Sequence, residues 1–400
     1  MAELSRGPLT GVRVLDLSRI LAGPFCTSIL SDMGAEVIKV EEPGKGDETR
    51  TWGPPFREGE SAYFMGVNRG KKSITLNLKA PKGREILLRL AELSDAVVEN
   101  FRPGVTARLG IDYPALRAVN PRLIYGSVSA YGQTGPDRDR PGFDLIIQAM
   151  SGIMSFTGEP EGPPCKVGTA VCDLMGGLWA AYGVALGLFA RERTGEGQYI
   201  DFSLLDGTIA HLTAWAGSYF MDGRIARRMG SAHPQVYPYQ AFRARDGEFV
   251  VGVTNEKFWS LFCRVIGAPE LEKDPRFADN VRRVENREEL LPLLEARIRE
   301  RTVAEWLEAL EREGVPAGPV LDVGQALSHP QVRAREMVVE TEHSKLGPWP
   351  VVGVPLKFSA TPGGVQSAPP VLGEHTEEVL RELLGMEAAE VSRLREEGVL

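Results

Sequence analysis

The sequence predicts an α/β protein with a doubly wound, mostly parallel sheet, joined to a smaller α+β domain. Short β-branched and apolar runs alternate with helix-length amphipathic stretches through residues 1–215. Such a β-α-β rhythm builds a parallel sheet with right-handed crossovers. At 400 residues the chain exceeds the usual size of one core, so two domains are expected.

The first strand is the run at 12–17 (VRVLDL), and the turn through Ala22-Gly23 leads to Pro24, a residue suited to the first helical position. That helix ends near Gly34, and 36–41 (EVIKVE) reads as the second strand and 73–78 (SITLNL) as the third. Pro81 opens a helix with Ile86, Leu87, Leu90 and Leu93 on one face and Arg84, Glu85 and Arg89 toward solvent. Runs at 95–99 (DAVVE), 123–129 (LIYGSVS) and 198–205 (QYIDFSLL) supply further strands, giving a Rossmann-like large domain.

A polar, arginine-rich stretch at 222–228 marks the crossing into the second domain, so the division reads 1–215, 216–335 and a returning segment 336–400. There 248–253 (EFVVGV) is strand-like, and Thr302 with Glu305 forms a capping box ahead of a helix carrying Trp306 and Leu310. Thr376 is placed to cap a late helix whose apolar face is Val379, Leu380, Leu383 and Leu384.

Composition narrows the function. A net charge of −8 and a pI near 5.4 argue against a nucleic-acid or anionic-membrane partner, leaving phosphate binding to local basic clusters. Cys26, Cys165, Cys172 and Cys263 form no C-x-x-C pair and the five histidines show no ligand spacing, which fits reduced thiols in a cytoplasmic enzyme without a metal. The N-terminus has no apolar signal region. Residues 174–190 are apolar enough to resemble a membrane span, but the strand-like flanks favour a helix buried in a large α/β core.

In doubly wound sheets ligands gather beyond the carboxyl ends of the strands. The loops there, at 18–24, 41–47 and 100–104, form one crevice in which Arg19, Lys39, Arg69, Lys71, Lys72, Arg102 and Arg108 provide charge for a polyphosphate. No G-x-G-x-x-G follows the first strand and no Walker loop is present, which weakens a dinucleotide reading. Asp173 is the most informative residue: a lone carboxylate ahead of the small-residue run at 174–181. One reading makes it the N-cap of a helix. The other makes it a nucleophile beside free N–H groups, with Gly176 and Gly177 leaving room for something to approach the backbone.

The blocks at 14–24 (VLDLSRILAGP), 30–41 (LSDMGAEVIKVE), 46–50 (GDETR), 68–73 (NRGKKS), 98–104 (VENFRPG), 194–198 (TGEGQ), 314–320 (GVPAGPV) and 372–376 (LGEHT) resemble, in this order, the class III CoA-transferases, or CaiB/BaiF family. The resemblance spans nearly the whole chain. It implies a catalytic aspartate at Asp173, reacting through a mixed anhydride and an aspartyl-CoA thioester. It implies a CoA crevice drawing on Ile20, Leu21, Ala22, Lys71, Lys72, Asn100, Arg108 and Phe143, and substrate contacts from Trp52, Gly230 and His233. Further implications are acyl-CoA and a carboxylic acid as substrates, no metal or redox cofactor, and an interlocked homodimer. Leu21 stands where some members carry glutamine, and Glu42 where others carry a basic residue.

A sister activity, 2-methylacyl-CoA racemisation, uses a histidine where this chain has Phe143, and phenylalanine cannot move a proton. Racemisation and non-catalytic acyl-CoA binding are the competing readings. His233 can bind an acceptor or fix its own loop; Arg50, Arg69, Arg138 and Arg140 are candidates for the second carboxylate of a dicarboxylic acid.

Overall fold

The computed structural model describes residues 7–400. The chain forms two compact units: one comprises residues 7–151, 167–216 and 330–400, the other 152–166 and 217–329. The sequence division is corrected at two places, since 152–166 belongs with the second unit and the chain re-enters the first at Pro330 rather than at 336.

In the first unit the strands β1 (Arg13–Asp16), β2 (Glu36–Glu41), β3 (Lys71–Thr75), β4 (Ala96–Glu99), β5 (Ile124–Ser129) and β6 (Tyr199–Ser203) lie in the order β3-β2-β1-β4-β5-β6. Every neighbouring pair is parallel. Two-residue alternation splits the buried side chains between two cores. Val14, Val37, Ala96 and Ile124 pack with α1 (Ala22–Asp32) and α5 (Val171–Thr194). Leu15, Ile38, Val97 and Tyr125 pack on the other face with α2 (Pro81–Glu92) and with the C-terminal helices α7 (Thr376–Leu384) and α8 (Ala388–Glu396). Burying each such aliphatic side chain is worth about 1.5–3 kcal/mol. Helices α3 (Tyr113–Val119), α4 (Asp144–Met150) and α6 (Leu204–Ala210) complete the layers.

Several expected details differ. β3 begins at Lys71, two residues early, because the Lys71 ammonium is buried against Asp16 at 3.0 Å and its strand backbone pairs with β2. Leu93 is exposed, since α2 ends at Glu92 and the chain turns outward. Thr376 does not cap α7; its hydroxyl accepts the N–H of Thr75 at 3.0 Å, tying the helix to β3, while Val379 and Leu380 enter the core.

The glycines at the head of α5 have a packing cause. A Cβ on Gly177 would lie 2.6 Å from the carbonyl oxygen of Ala22, so α5 can rest on α1 only with glycine there, and Gly176 is closed similarly by Leu204. What approaches this backbone is the protein itself. By length and composition α5 can span a bilayer, but Val184, Gly187 and Leu188 are buried against the sheet side. The helix packs into the α/β core as expected on one face only: Leu178, Tyr182, Leu186 and Phe189 form an exposed stripe.

The second unit has a three-stranded antiparallel sheet, Tyr239–Arg243, Glu248–Gly252 and Ala317–Pro319, with the middle strand at its centre. Phe249, Trp259, Phe262, Leu290 and Trp306 form its core. The capping box at Thr302 and Glu305 is present.

Candidate active site

The loop between β1 and α1 is held by side chains at successive backbone groups. Asp16 accepts the Ser18 N–H at 2.9 Å, and the Lys39 ammonium donates to the Ser18 carbonyl at 2.9 Å. Asn100 accepts the Arg19 N–H at 2.8 Å and donates to the Arg19 carbonyl at 2.7 Å. Asp47 accepts the Ile20 N–H, with both carboxylate oxygens at 3.2 Å. Ile20 itself sits at φ +70°, a left-handed conformation that a β-branched residue adopts only when its surroundings impose it.

Beneath the loop lies a buried set of charges. Burial pushes the Asp16 carboxyl up, but Lys71 and Lys39, with the Ser18 and Thr27 hydroxyls, outweigh it and hold the group well below the usual carboxylate range. Burial draws the Lys71 ammonium down to about 8, against the pull of Asp16.

Asp173 lies in the first turn of α5, half-buried, and no hydrogen bond or ion pair reaches its carboxylate among the described residues. It is not the N-cap. That position is Ala170, and the helix end is served from α4: Asp144 accepts the Cys172 N–H at 2.9 Å, and the Gln148 side-chain carbonyl accepts the Val167 N–H at 2.8 Å. Gln148 also donates to Asp144 at 2.6 Å, one turn apart on α4. The helix N-terminus is spent on the Asp144 carboxylate rather than on that of Asp173. Burial, and then the charge of Asp144, push Asp173 up to about 7.

Topology brings this carboxylate to the β1–α1 loop. Both α1 and α5 start at the carboxyl edge of the sheet, and they touch where Gly177 meets Ala22. Asp173 is one helical turn, about 6 Å, nearer that edge. The Tyr63 phenol is raised by burial and then by Asp173, so it too shares this neighbourhood, and Trp52 packs edge-on against it at 5.1 Å.

Two clefts adjoin the loop. The larger, about 850 Å³, opens beyond β1, β2, β3 and β4. It has an apolar floor at Leu76, Leu78, Phe101 and Leu109 and cationic groups from Arg19, Lys45, Lys79 and Arg108. The smaller, about 240 Å³, shares Arg19, Glu48 and Phe101 with it and is lined also by Ile20, Asn100, Arg102, Arg138, Arg140 and Phe143.

A partly apolar cleft with a basic rim, on the same carboxyl edge of the sheet as a raised carboxylate, suits a nucleotide-bearing thioester. Comparison with known proteins agrees in kind. The family model for CoA-transferase family III matches residues 9–376. The chain belongs to CoA-transferase family III. It is 43% identical to succinyl-CoA:glutarate CoA-transferase of Mus musculus, over 99% of this chain and 91% of the relative. It is 46% identical to acetyl-CoA:oxalate CoA-transferase of Acetobacter aceti, over 88% of this chain and 90% of the relative. A CAIB/BAIF family protein from Brucella suis, 42% identical, superposes with a TM-score of 0.85 over 94% of this chain and 100% of that one.

The family III relatives are named for CoA thioesters such as succinyl-CoA and acetyl-CoA. The structure sorts the residues that the family resemblance implied. Arg108 lines the large cleft, and Ile20, Asn100 and Phe143 the small one. Asn100 also has a second task, because its amide accepts from and donates to the Arg19 backbone. Lys71 is fully buried, bonded to Asp16, the Pro24 carbonyl and Asn68, and so cannot reach a phosphate. Lys72 pairs with Glu36 and Glu378 and lines neither cleft. Leu21 and Ala22 bury their side chains in and beside α1, which leaves only their backbone to offer.

Lys39 and Arg69 are likewise sealed in ion pairs, with Asp47 and Asp32. Arg50 grips Glu41 with two hydrogen bonds and covers the Phe64 ring, so of the four arginines considered for a second carboxylate only Arg138 and Arg140 face a cleft. Gly230 and His233 belong to the second unit. There the Gly230 N–H donates to Gly158, and the His233 ring accepts the Gln235 N–H at 3.1 Å and packs on Tyr239, so this histidine fixes its own loop.

Sequence reasoning placed the loop of Lys45 at the crevice but missed Lys79 and Tyr63. Lys79 follows directly after the expected third strand, so its strand-end position was a usable signal. Tyr63 gave none.

Proposed function

We propose that this enzyme moves CoA from an acyl-CoA donor to a carboxylic acid by covalent catalysis at Asp173. The supporting observation is that carboxylate: half-buried, unpartnered among the described residues, raised to about 7, and at the carboxyl edge of the sheet onto which both clefts open. It attacks the thioester carbonyl, forming a mixed anhydride and expelling CoA thiolate. The thiolate then attacks the aspartyl carbonyl, releasing the donor acid and leaving an aspartyl-CoA thioester. The acceptor carboxylate attacks that thioester, and the thiolate attacks the acceptor's acyl carbon in the new anhydride, restoring Asp173.

A carboxylate that burial has made more basic is the better nucleophile, and near neutral pH a substantial fraction is ionised. Binding of the nucleotide end in the 850 Å³ cleft supplies the positioning. Relatives named for succinyl-CoA, glutarate and oxalate, together with Arg138 and Arg140 at the small cleft, support short dicarboxylic acids as substrates. The exposed stripe on α5 supports a homodimer, with a second copy of the chain covering Leu178, Tyr182, Leu186 and Phe189.

The test is CoA transfer from succinyl-CoA to glutarate by wild type and Asp173→Asn. Turnover by wild type that falls at least a thousandfold in the variant supports the reading; an active Asp173→Asn enzyme sinks it.

A further inference from the structure

The clamp around 18–20 is more than packing. Five consecutive backbone groups, from the Ser18 N–H to the Ile20 N–H, are each bonded to a side chain of Asp16, Lys39, Asn100 or Asp47. Lys39 and Asp47 are themselves ion-paired at 3.0 Å with both side chains fully buried, so the cation holds one end of the tripeptide and its anion the other. Asp47 is in turn fixed by the Thr49 N–H and hydroxyl, and its own N–H by Glu41.

Buried ion pairs contribute little net stability, because desolvation offsets their attraction. What this pair accomplishes is geometric. It compels a β-branched residue to stay at φ +70° on the wall of the small cleft, beside the head of α1, where a relaxed chain would turn Ile20 back to negative φ.

We propose that Asp47, with Lys39, is a positioning residue of the transfer reaction: through the Ile20 N–H it holds the β1–α1 loop in the one backbone conformation that lets the acyl group meet Asp173. This rests on the reading of Asp173 as the nucleophile. Lys39 and Asp47 both lie in the wall of the large cleft, but their side chains are fully buried, and in this role they contact the loop rather than substrate. The pair acts through the loop, so its loss lowers kcat much more than it weakens CoA binding.

The experiment compares Asp47→Asn, Asp47→Asn/Ile20→Gly and Asn100→Ala with wild type, measuring kcat and KM for succinyl-CoA and glutarate, the Kd of CoA by calorimetry, and the thermal midpoint. The expected result for Asp47→Asn is a kcat lowered ten- to a hundredfold with the CoA Kd within threefold. Glycine at position 20 restores kcat at least threefold over the single variant, because glycine takes the left-handed conformation without strain.

A merely structural pair would instead lower the thermal midpoint and CoA affinity together, with no recovery by glycine; that outcome, or an unchanged kcat, overturns the proposal. If Asp47→Asn does not fold, Asn100→Ala with and without Ile20→Gly carries the same comparison, since it releases the neighbouring Arg19 N–H and carbonyl. An Asp173→Asn enzyme that still transfers CoA removes the nucleophile reading, whatever the loop variants do; loss of glycine rescue alone removes only the positioning role.

Discussion

The Asp144 carboxylate accepts the backbone N–H of Cys172 at 2.9 Å and that of Asp173 at 3.4 Å, so the positive end of α5 is occupied by the side chain of Asp144 rather than by that of Asp173. Asp173 consequently feels burial and a like charge and lacks the hydrogen bonds that would hold it low. Its kcat/KM is expected to rise with pH through a midpoint of about 7. In Asp144→Asn the midpoint falls, yet it stays above the ordinary carboxylate range because burial is the larger cause. A pH–rate profile that does not move in this variant contradicts the like-charge contribution.

Stability carries the same signature with a definite sign. Between the ordinary carboxylate range and about pH 7 the folded protein keeps a proton on Asp173 that the unfolded chain has lost, so rising pH destabilises the fold through that window. Asp173→Asn is expected to stabilise the protein at pH 8 by up to about 4 kcal/mol and to change it little at pH 4. Denaturant midpoints at the two pH values check this; equal effects at both would show that Asp173 titrates normally.

The proposed seat of the nucleotide end of CoA, the large cleft, has Lys45, Lys79 and Arg108 among its lining cations. Arg108→Ala and Lys79→Ala are each expected to raise the KM for acyl-CoA severalfold, an effect that shrinks at high salt. Lys72→Ala, by contrast, removes only pairs with Glu36 and Glu378 and leaves KM within twofold. A larger KM effect from Lys72 than from Arg108 would reverse the assignment.

Leu186 stands in the middle of the exposed α5 stripe. If a second copy covers it, Leu186→Asp buries an unpaired charge at the interface and shifts the protein to monomer in sedimentation equilibrium. Identical sedimentation of variant and wild type at micromolar concentration removes the stripe from the interface.

The sheet was readable because its strands are short apolar runs bounded by turn residues, and Val14, Leu15, Val37 and Ile38 alternate between the two cores as a period of two demands. Asp173 stands out in the sequence because it is a lone carboxylate directly ahead of the apolar run at 174–190. The lysines were not. Lys39, Lys71 and Lys72 look like a phosphate site in sequence, and only the tertiary fold shows that Asp47, Asp16 and Glu36 had already claimed them.

Gly176 and Gly177 likewise looked like room for a ligand, because a close approach leaves the same mark on the sequence whether a substrate or helix α1 makes it. The bond of Asp144 to the head of α5, and the amide clamp of Asn100 on Arg19, depend on partners 28 and 81 residues away. No local pattern carries them.

The most direct test is mass spectrometry of the protein after brief incubation with succinyl-CoA followed by hydroxylamine or borohydride. The account predicts modification or cleavage at Asp173, absent in Asp173→Ala. No trace at Asp173, with deuterium instead entering the α-carbon of a 2-methylacyl-CoA without any acceptor acid, would contradict it and point to proton transfer.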